Sequence, residues 1–288
     1  MNSIKQILLG VAVSTEPKNV LLERISLHLK SKAQTPLTIV TPNPEQVVYA
    51  QKDEHFRQLL NSADIALPDG VGIVWVAKRI KYQVSSAKDL KAIPGIEFME
   101  DLVKLASENG YVVGLLGGRN GVAAETLSKL HNRFPTLKGW AEDAPEIKIS
   151  NPKSQIPDKK QFSNEARQQA ISGLPKNYTQ ELIKRISETK VQLLFTGLGA
   201  PKQEYLVENL KSQIPASPAG GPNPKFSKPL VLMSVGGSFD ELSGRIPRAP
   251  QWVSNLGCKW LWRLTLEPWR IGRQTALLKF VWLVLAKR

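Results

Sequence analysis

Six short runs of apolar and β-branched residues punctuate this chain, and nearly every one ends in glycine beside a polar side chain. They span residues 7–13 (ILLGVAV), 37–41 (LTIVT), 64–67 (DIAL), 111–117 (YVVGLLG), 191–197 (VQLLFTG) and 230–236 (LVLMSVG). Side chains alternate between the two faces of a strand. A run that is apolar throughout therefore belongs to a strand covered on both sides, as in a parallel sheet. Helical patterns lie between the runs, at 45–60, 96–108 and 121–134. This alternation predicts an α/β fold: an open, Rossmann-like, mostly parallel sheet with helices on both faces.

The chain has 288 residues, 42% of them hydrophobic and 22% charged, enough to bury a sizeable core. Its net charge of +14 favours anionic partners: nucleic acid, acidic lipid or phosphorylated substrates. A single cysteine, Cys258, excludes an internal disulfide and fits a reducing compartment. His28, His55 and His131 are far apart, and no spacing suggests a zinc site or an Asp-x-Asp metal clamp. These absences leave a magnesium requirement open, and no bound cofactor is expected. The N-terminal apolar run is strand-length and reads as a strand rather than a signal peptide. No stretch reaches the roughly 18–20 apolar residues of a membrane span.

Two segments break the alternation. Residues 141–178 and 213–229 are polar, proline-rich and without periodicity, and read as irregular insertions. The last 44 residues differ again: 245–288 hold nine Arg or Lys against one acid, Glu267, and five of the seven tryptophans. Residues 1–244 are thus expected to form the catalytic domain. Residues 245–288 are expected to form a helical, basic, Trp-rich appendage suited to a membrane surface, a packed extension or an oligomer interface.

Open α/β sheets bind ligands beyond the carboxyl ends of their strands. The candidate site residues are those that follow each run. They are Thr41 and Asn43; Asp69 with Gly70 and Gly72; Gly117 and Gly118; Gly197, Gly199, Lys202 and Gln203; and Gly236, Gly237 and Ser238. Glycine lets backbone N–H groups approach a phosphate, and a following helix N-terminus adds its dipole. No Gly-x-Gly-x-x-Gly unit and no Gly-Lys-Ser/Thr ending is present, which argues against a dinucleotide fold of the usual kind and a P-loop. Asp69 has two readings on residues alone. It begins a turn or caps a helix, or it serves as a general base on a hydroxyl.

Four stretches carry a specific resemblance: TPNPEQVVYAQKDEHFRQLLNSADIALPDGVGIVW, LLGGRNGVAAE, LLFTGLGAPKQE and VGGSFDELSGRIPRAPQWVSNLGCKWLWRLTLEPWR. In order and character they resemble the WecG/TagA/CpsF family, bacterial glycosyltransferases of family 26, over about residues 7–273. The resemblance implies inverting transfer of N-acetylmannosamine or a related sugar from its UDP carrier. The implied acceptor is a lipid-diphosphate-linked sugar, typically undecaprenyl diphosphate carrying N-acetylglucosamine, and the products feed cell-surface polysaccharide. It implies Asp69 as catalytic base, Thr41 and Asn43 beside it, and Gln203 as a sugar or nucleotide contact. Arg263, Arg270 and Arg273 become the arginines that reach the diphosphates, and no metal is needed.

The residue types suit that chemistry: a base for the acceptor hydroxyl, and positive charge where UDP leaves. Arg263 and Arg270 would share a face of one continuous helix, but Pro268 between them can break it. The appendage then reads as a cytoplasmic, peripheral contact with the anionic inner face of the plasma membrane, which oligomerisation can mask. Pro94, Gly95, Ile96 and Glu97 depart from the family pattern, which bears on the sugar. A nucleotide-dependent oxidoreductase and a nucleic-acid-binding protein are the rival readings. The first lacks its glycine unit, and the second leaves the strand-end residues without a purpose.

Overall fold

A computed structural model describes residues 4–33, 35–79, 90–149, 171–172, 177–214 and 228–286. Most of the two irregular segments, 150–170 with 173–176 and 215–227, lies outside the described residues.

The runs form a six-stranded sheet. Its strands are β3 (Leu37–Val40), β4 (Ile65–Ala66), β5 (Val112–Gly117), β6 (Lys138–Glu142), β9 (Val191–Gly197) and β10 (Val231–Ser234). All are parallel, in the order β4-β3-β10-β9-β5-β6. Strand periodicity divides the core in two. Leu37, Ile39, Val113, Leu115, Leu193, Phe195, Val231 and Met233 join one buried cluster. Val40, Leu116, Leu194 and Leu232 join the other. Helices α1 (Lys18–Lys30), α5 (Gly95–Asn109), α6 (Val122–Arg133) and α9 (Ser238–Leu242) supply the first cluster. Helices α2 (Pro44–Ala50), α3 (Glu54–Ser62), α7 (Tyr178–Glu188) and α8 (Lys202–Gln213) supply the second.

Several elements differ from expectation. The first run is two strands, β1 (Lys5–Leu8) and β2 (Val11–Ser14), paired antiparallel outside the main sheet. Leu9 and Gly10 turn the chain with φ of 49° and 83°. Glycine takes that conformation without cost, so it marks the bend. The helical pattern at 45–60 is two helices. Asp53 stops the first pattern and caps α3 by accepting the Phe56 N–H at 2.9 Å. Strand β6 had no apolar run to announce it; KGWAE becomes an edge strand by pairing with β5. Within the segment that reads as an irregular insertion, β7 (Lys148–Ile149) and β8 (Ile171–Ser172) pair antiparallel in a small sheet of their own.

The C-terminal segment is helical, as expected: α10 (Gln251–Asn255), α11 (Lys259–Leu266), a 3₁₀ turn at Pro268–Arg270 and α12 (Ile271–Ala286). The break falls at Glu267–Pro268, so Arg263 and Arg270 do not share one helix. Helix α12 packs on α2. Phe280 is fully buried in the same cluster as Val47 and Val48. Gly72, at the start of α4 (Val71–Arg79), makes room for it: a Cβ there would lie 2.9 Å from Pro44 and 3.8 Å from both Leu277 and Phe280. No helix among the described residues is long and apolar enough to cross a membrane.

Candidate active site

Because the sheet is parallel, the turns after β4, β3, β10, β9 and β5 all lie along its carboxyl edge, side by side in that order. Every strand-end candidate chosen from the sequence is therefore on one rim.

Asp69 follows β4 and is partly buried there. Its N–H donates to Pro42 O at 3.1 Å, tying the β4 turn to the β3 turn. Its carboxylate accepts the N–H of Gly95, the first residue of α5. Burial pushes the carboxyl up to about 7, and the charges of Glu241 and Glu97 act in the same direction. Lys259 and the Gly95 N–H oppose the rise. A carboxylate tuned near neutrality on the carboxyl rim of a parallel sheet has the properties of a general base. Thr41 is buried beside it: a Cβ on Gly95 would meet the Thr41 methyl at 2.9 Å. Asn43 caps α2 through Oδ1, which accepts the Gln46 N–H at 3.0 Å.

The glycine turns interlock. Gly118 N–H donates to Gly197 O at 3.0 Å, and a Cβ on Gly117 would lie 2.6 Å from the Gly197 carbonyl carbon. Gln203 is 1% exposed, and its Oε1 accepts N–H groups from Gly199 (3.2 Å) and Gly236 (3.0 Å). One amide thus joins the β9 and β10 turns. Ser238 is buried and donates its hydroxyl to Val235 O at 2.6 Å, closing its own turn. Lys202 opens α8 at the rim, partly exposed.

The appendage reaches this rim. Arg263 lies against Gly237, donating to its carbonyl at 3.4 Å, and pairs with Glu241 and Glu267 at 2.8 Å each and Asp240 at 3.8 Å. Lys259 pairs with Glu97 at 2.6 Å, in the first turn of α5, whose Gly95 N–H donates to Asp69. The side chains of Arg270 and Arg273 lie outside the described ones. Arg245, at the head of the appendage, forks onto Glu125 at 2.7 and 2.8 Å and donates to Arg119 O, bracing the β5 turn.

Sequence reasoning singled out neither Lys259, Glu204 nor Gln46. Glu204 follows Gln203 directly, and an acid beside an amide at the start of a rim helix was its visible signal. Lys259 had none, because its partner Glu97 lies far away in sequence.

These features define an open-sheet α/β protein whose candidate site lies along the carboxyl rim. Its sequence matches the Glycosyl transferase WecG/TagA/CpsF family over residues 6–288, and the chain belongs to that family. It is therefore a glycosyltransferase, which displaces the oxidoreductase and nucleic-acid readings. Its relatives include an N-acetylglucosaminyldiphosphoundecaprenol N-acetyl-β-D-mannosaminyltransferase of Bacillus subtilis (strain 168). That protein is 26% identical over 250 residues, covering 86% of this chain and 78% of the relative. A Staphylococcus aureus (strain NCTC 8325 / PS 47) protein of the same name is 27% identical over 281 residues, covering 98% of this chain and 92% of its own.

Proposed function

We propose that the protein transfers N-acetylmannosamine, or a related sugar, with inversion from a UDP carrier to an undecaprenyl-diphosphate-linked N-acetylglucosamine. The acceptor comes from the names of its relatives. The single observation that carries the reaction is Asp69, a partly buried carboxylate raised to about 7 on the carboxyl rim.

In this reading Asp69 takes the proton from the acceptor hydroxyl as that oxygen attacks the anomeric carbon. The carbon–oxygen bond to UDP breaks, and the diphosphate leaves with the electron pair. Thr41 and Asn43 shape the wall beside the base. The turns at Gly117–Gly118, Gly197–Gly199 and Gly236–Ser238, with Lys202, form the donor side of the rim. Gln203 acts by holding two of those turns. Arg263, with Arg270 and Arg273, balances diphosphate charge in place of a metal. Arg263 must exchange one of its carboxylate partners for the diphosphate.

The acceptor is a membrane lipid, so the enzyme works at the bilayer surface. Trp252, Trp269 and Trp282 are 65%, 75% and 63% exposed on the basic appendage, which suits an interfacial contact with anionic lipid.

The test is UDP release from UDP-N-acetylmannosamine in the presence of detergent-solubilised lipid-diphosphate-N-acetylglucosamine. Acceptor-dependent release is expected from the parent, with near-loss in Asp69→Asn. Equal rates in the two proteins would remove Asp69 as base. No release from the parent would refute this donor–acceptor pair.

A further inference from the structure

Beneath the rim lies an acid with no part in the transfer step. Glu204, in the first turn of α8, is 2% exposed. Its Oε1 accepts two amide N–H groups, from Gln203 Nε2 at 2.8 Å and Gln46 Nε2 at 3.1 Å. Its Oε2 is buried with no hydrogen-bond partner, and so are Gln46 Oε1 and Ser234 Oγ.

This pattern has a chemical reading. An ionised carboxylate spreads its charge over both oxygens, and a bare buried one is costly. A carboxylic acid is asymmetric: its carbonyl oxygen accepts, and its hydroxyl donates. Two donors on one oxygen and none on the other is the pattern of the acid. Gln46, whose amide bonds to Glu204, also carries a buried acceptor, Oε1, that lacks a donor. No lysine, arginine or histidine bonds to Glu204 to balance a negative charge among the described residues.

Each amide that Glu204 holds leads to the rim. Gln203 fastens Gly199 and Gly236, in the turns after β9 and β10. Gln46 is the residue whose N–H Asn43 caps, in the turn after β3. One carboxyl thus stands behind three adjacent turns of the crevice.

We propose that Glu204 is held as a neutral carboxylic acid and is a positioning residue of the transfer site, fixing through Gln203 and Gln46 the turns after β3, β9 and β10. Burial pushes its carboxyl up to about 7, outweighing the hydrogen bonds from Gln203, its own backbone N–H and Gln46 that pull it down, which agrees with a neutral acid below neutrality. The link to transfer rests on the function proposed above; the state of the carboxyl and its hold on the turns do not.

The experiment compares the full-length parent with Glu204→Gln and Glu204→Met. Glutamine keeps one acceptor and one donor end, whereas methionine keeps the length and neither end. Infrared difference spectra of parent minus Glu204→Gln at pH 6 are expected to show a carboxylic-acid C=O band. Hydrogen exchange at the Gly199 and Gly236 amides is expected to quicken about tenfold or more in Glu204→Met and to stay near parental in Glu204→Gln. The central-strand amides of Leu193 and Met233 should be unchanged in both. With the UDP-sugar, Glu204→Met should raise the donor KM several-fold more than it lowers kcat, and Glu204→Gln should restore most of the loss.

A carboxylate band in place of the acid band overturns the neutral state. Parental protection of Gly199 and Gly236 in Glu204→Met overturns the positioning role. If Glu204→Met fails to fold, the smaller Glu204→Ala takes its place in the exchange experiment, and the infrared comparison is unaffected. If the parent does not turn over the UDP-sugar, the transfer reading fails, while infrared and exchange still decide on Glu204.

Discussion

Replacing Asp69 with asparagine should abolish transfer and also make the protein more stable, by an amount that grows with pH. The carboxyl stands at about 7 in the folded protein against 3.8 in an unfolded chain. The folded state therefore holds a proton that the unfolded state has lost between those two values. Stability from this group is full below pH 3.8, falls as pH rises through the window, and reaches its lowest level above about 7. At about 1.4 kcal/mol per pK unit the ceiling is about 4 kcal/mol, and contact with solvent at the rim reduces it to about 2 kcal/mol. The asparagine has no proton to lose, so the variant lacks this slope. Glu204 titrates over a similar range, but it is present in both proteins and drops out of the difference. The assay is urea unfolding followed by tryptophan fluorescence at pH 5, 6, 7 and 8 and fixed ionic strength. Roughly two thirds of the loss falls between pH 5 and pH 8. With an m-value of about 3 kcal/mol/M, the variant's midpoint should exceed the parent's by about 0.4 M more at pH 8 than at pH 5. A pH-independent difference would refute the burial of Asp69 and its tuning as a base.

Other outcomes follow from neighbouring contacts. Lys259→Gln removes a cation that holds the Asp69 carboxyl down, so the acidic limb of the kcat/KM profile should move to higher pH; an unmoved limb would show that Lys259 does not act on Asp69. Gly197→Ala places a Cβ 2.6 Å from Phe239, and overpacking at the β9 turn should cost about 1–3 kcal/mol in chemical unfolding. Phe280→Ala should cost about 3–5 kcal/mol of the seating of α12, read as faster tryptic cleavage at Lys279. Trp252→Ser with Trp269→Ser should weaken sedimentation with anionic vesicles and leave the unfolding midpoint near parental, since both side chains are exposed.

The sheet and the position of its rim were legible because apolar runs and glycine turns are local signals. Five turns read separately from the chain fall side by side on one edge, as a parallel sheet requires. Elements made by partners were not legible. KGWAE is a strand only because β5 lies next to it. The N-terminal hairpin was half visible, in Gly10, but an unbroken apolar run concealed the turn. At the site, residue types were readable and their partners were not. Gln203 looks like a substrate contact in sequence, and in the structure its amide spans two turns, reaching Gly236 from 33 positions away. Arg263 looks like a free cation, and it is surrounded by Asp240, Glu241 and Glu267. Hydrogen bonds and ion pairs between distant residues leave no periodic trace.

The sheet order has a consequence for how the molecule comes into being. β3, near the N-terminus, takes as its inner neighbour the last strand made among the described residues, with Val231 opposite Leu37. Most of the polypeptide must leave the ribosome before that seam can close. Until then the inner edge of β3 offers unpaired backbone groups, the kind of edge on which nascent chains associate wrongly. Such long-range pairing is also slow, since a large loop must be ordered before any contact rewards it. The seam divides the crevice as well: Thr41 and Asn43 lie on one side, and Gly236, Gly237 and Ser238 on the other. A half-made chain therefore carries only part of the candidate rim.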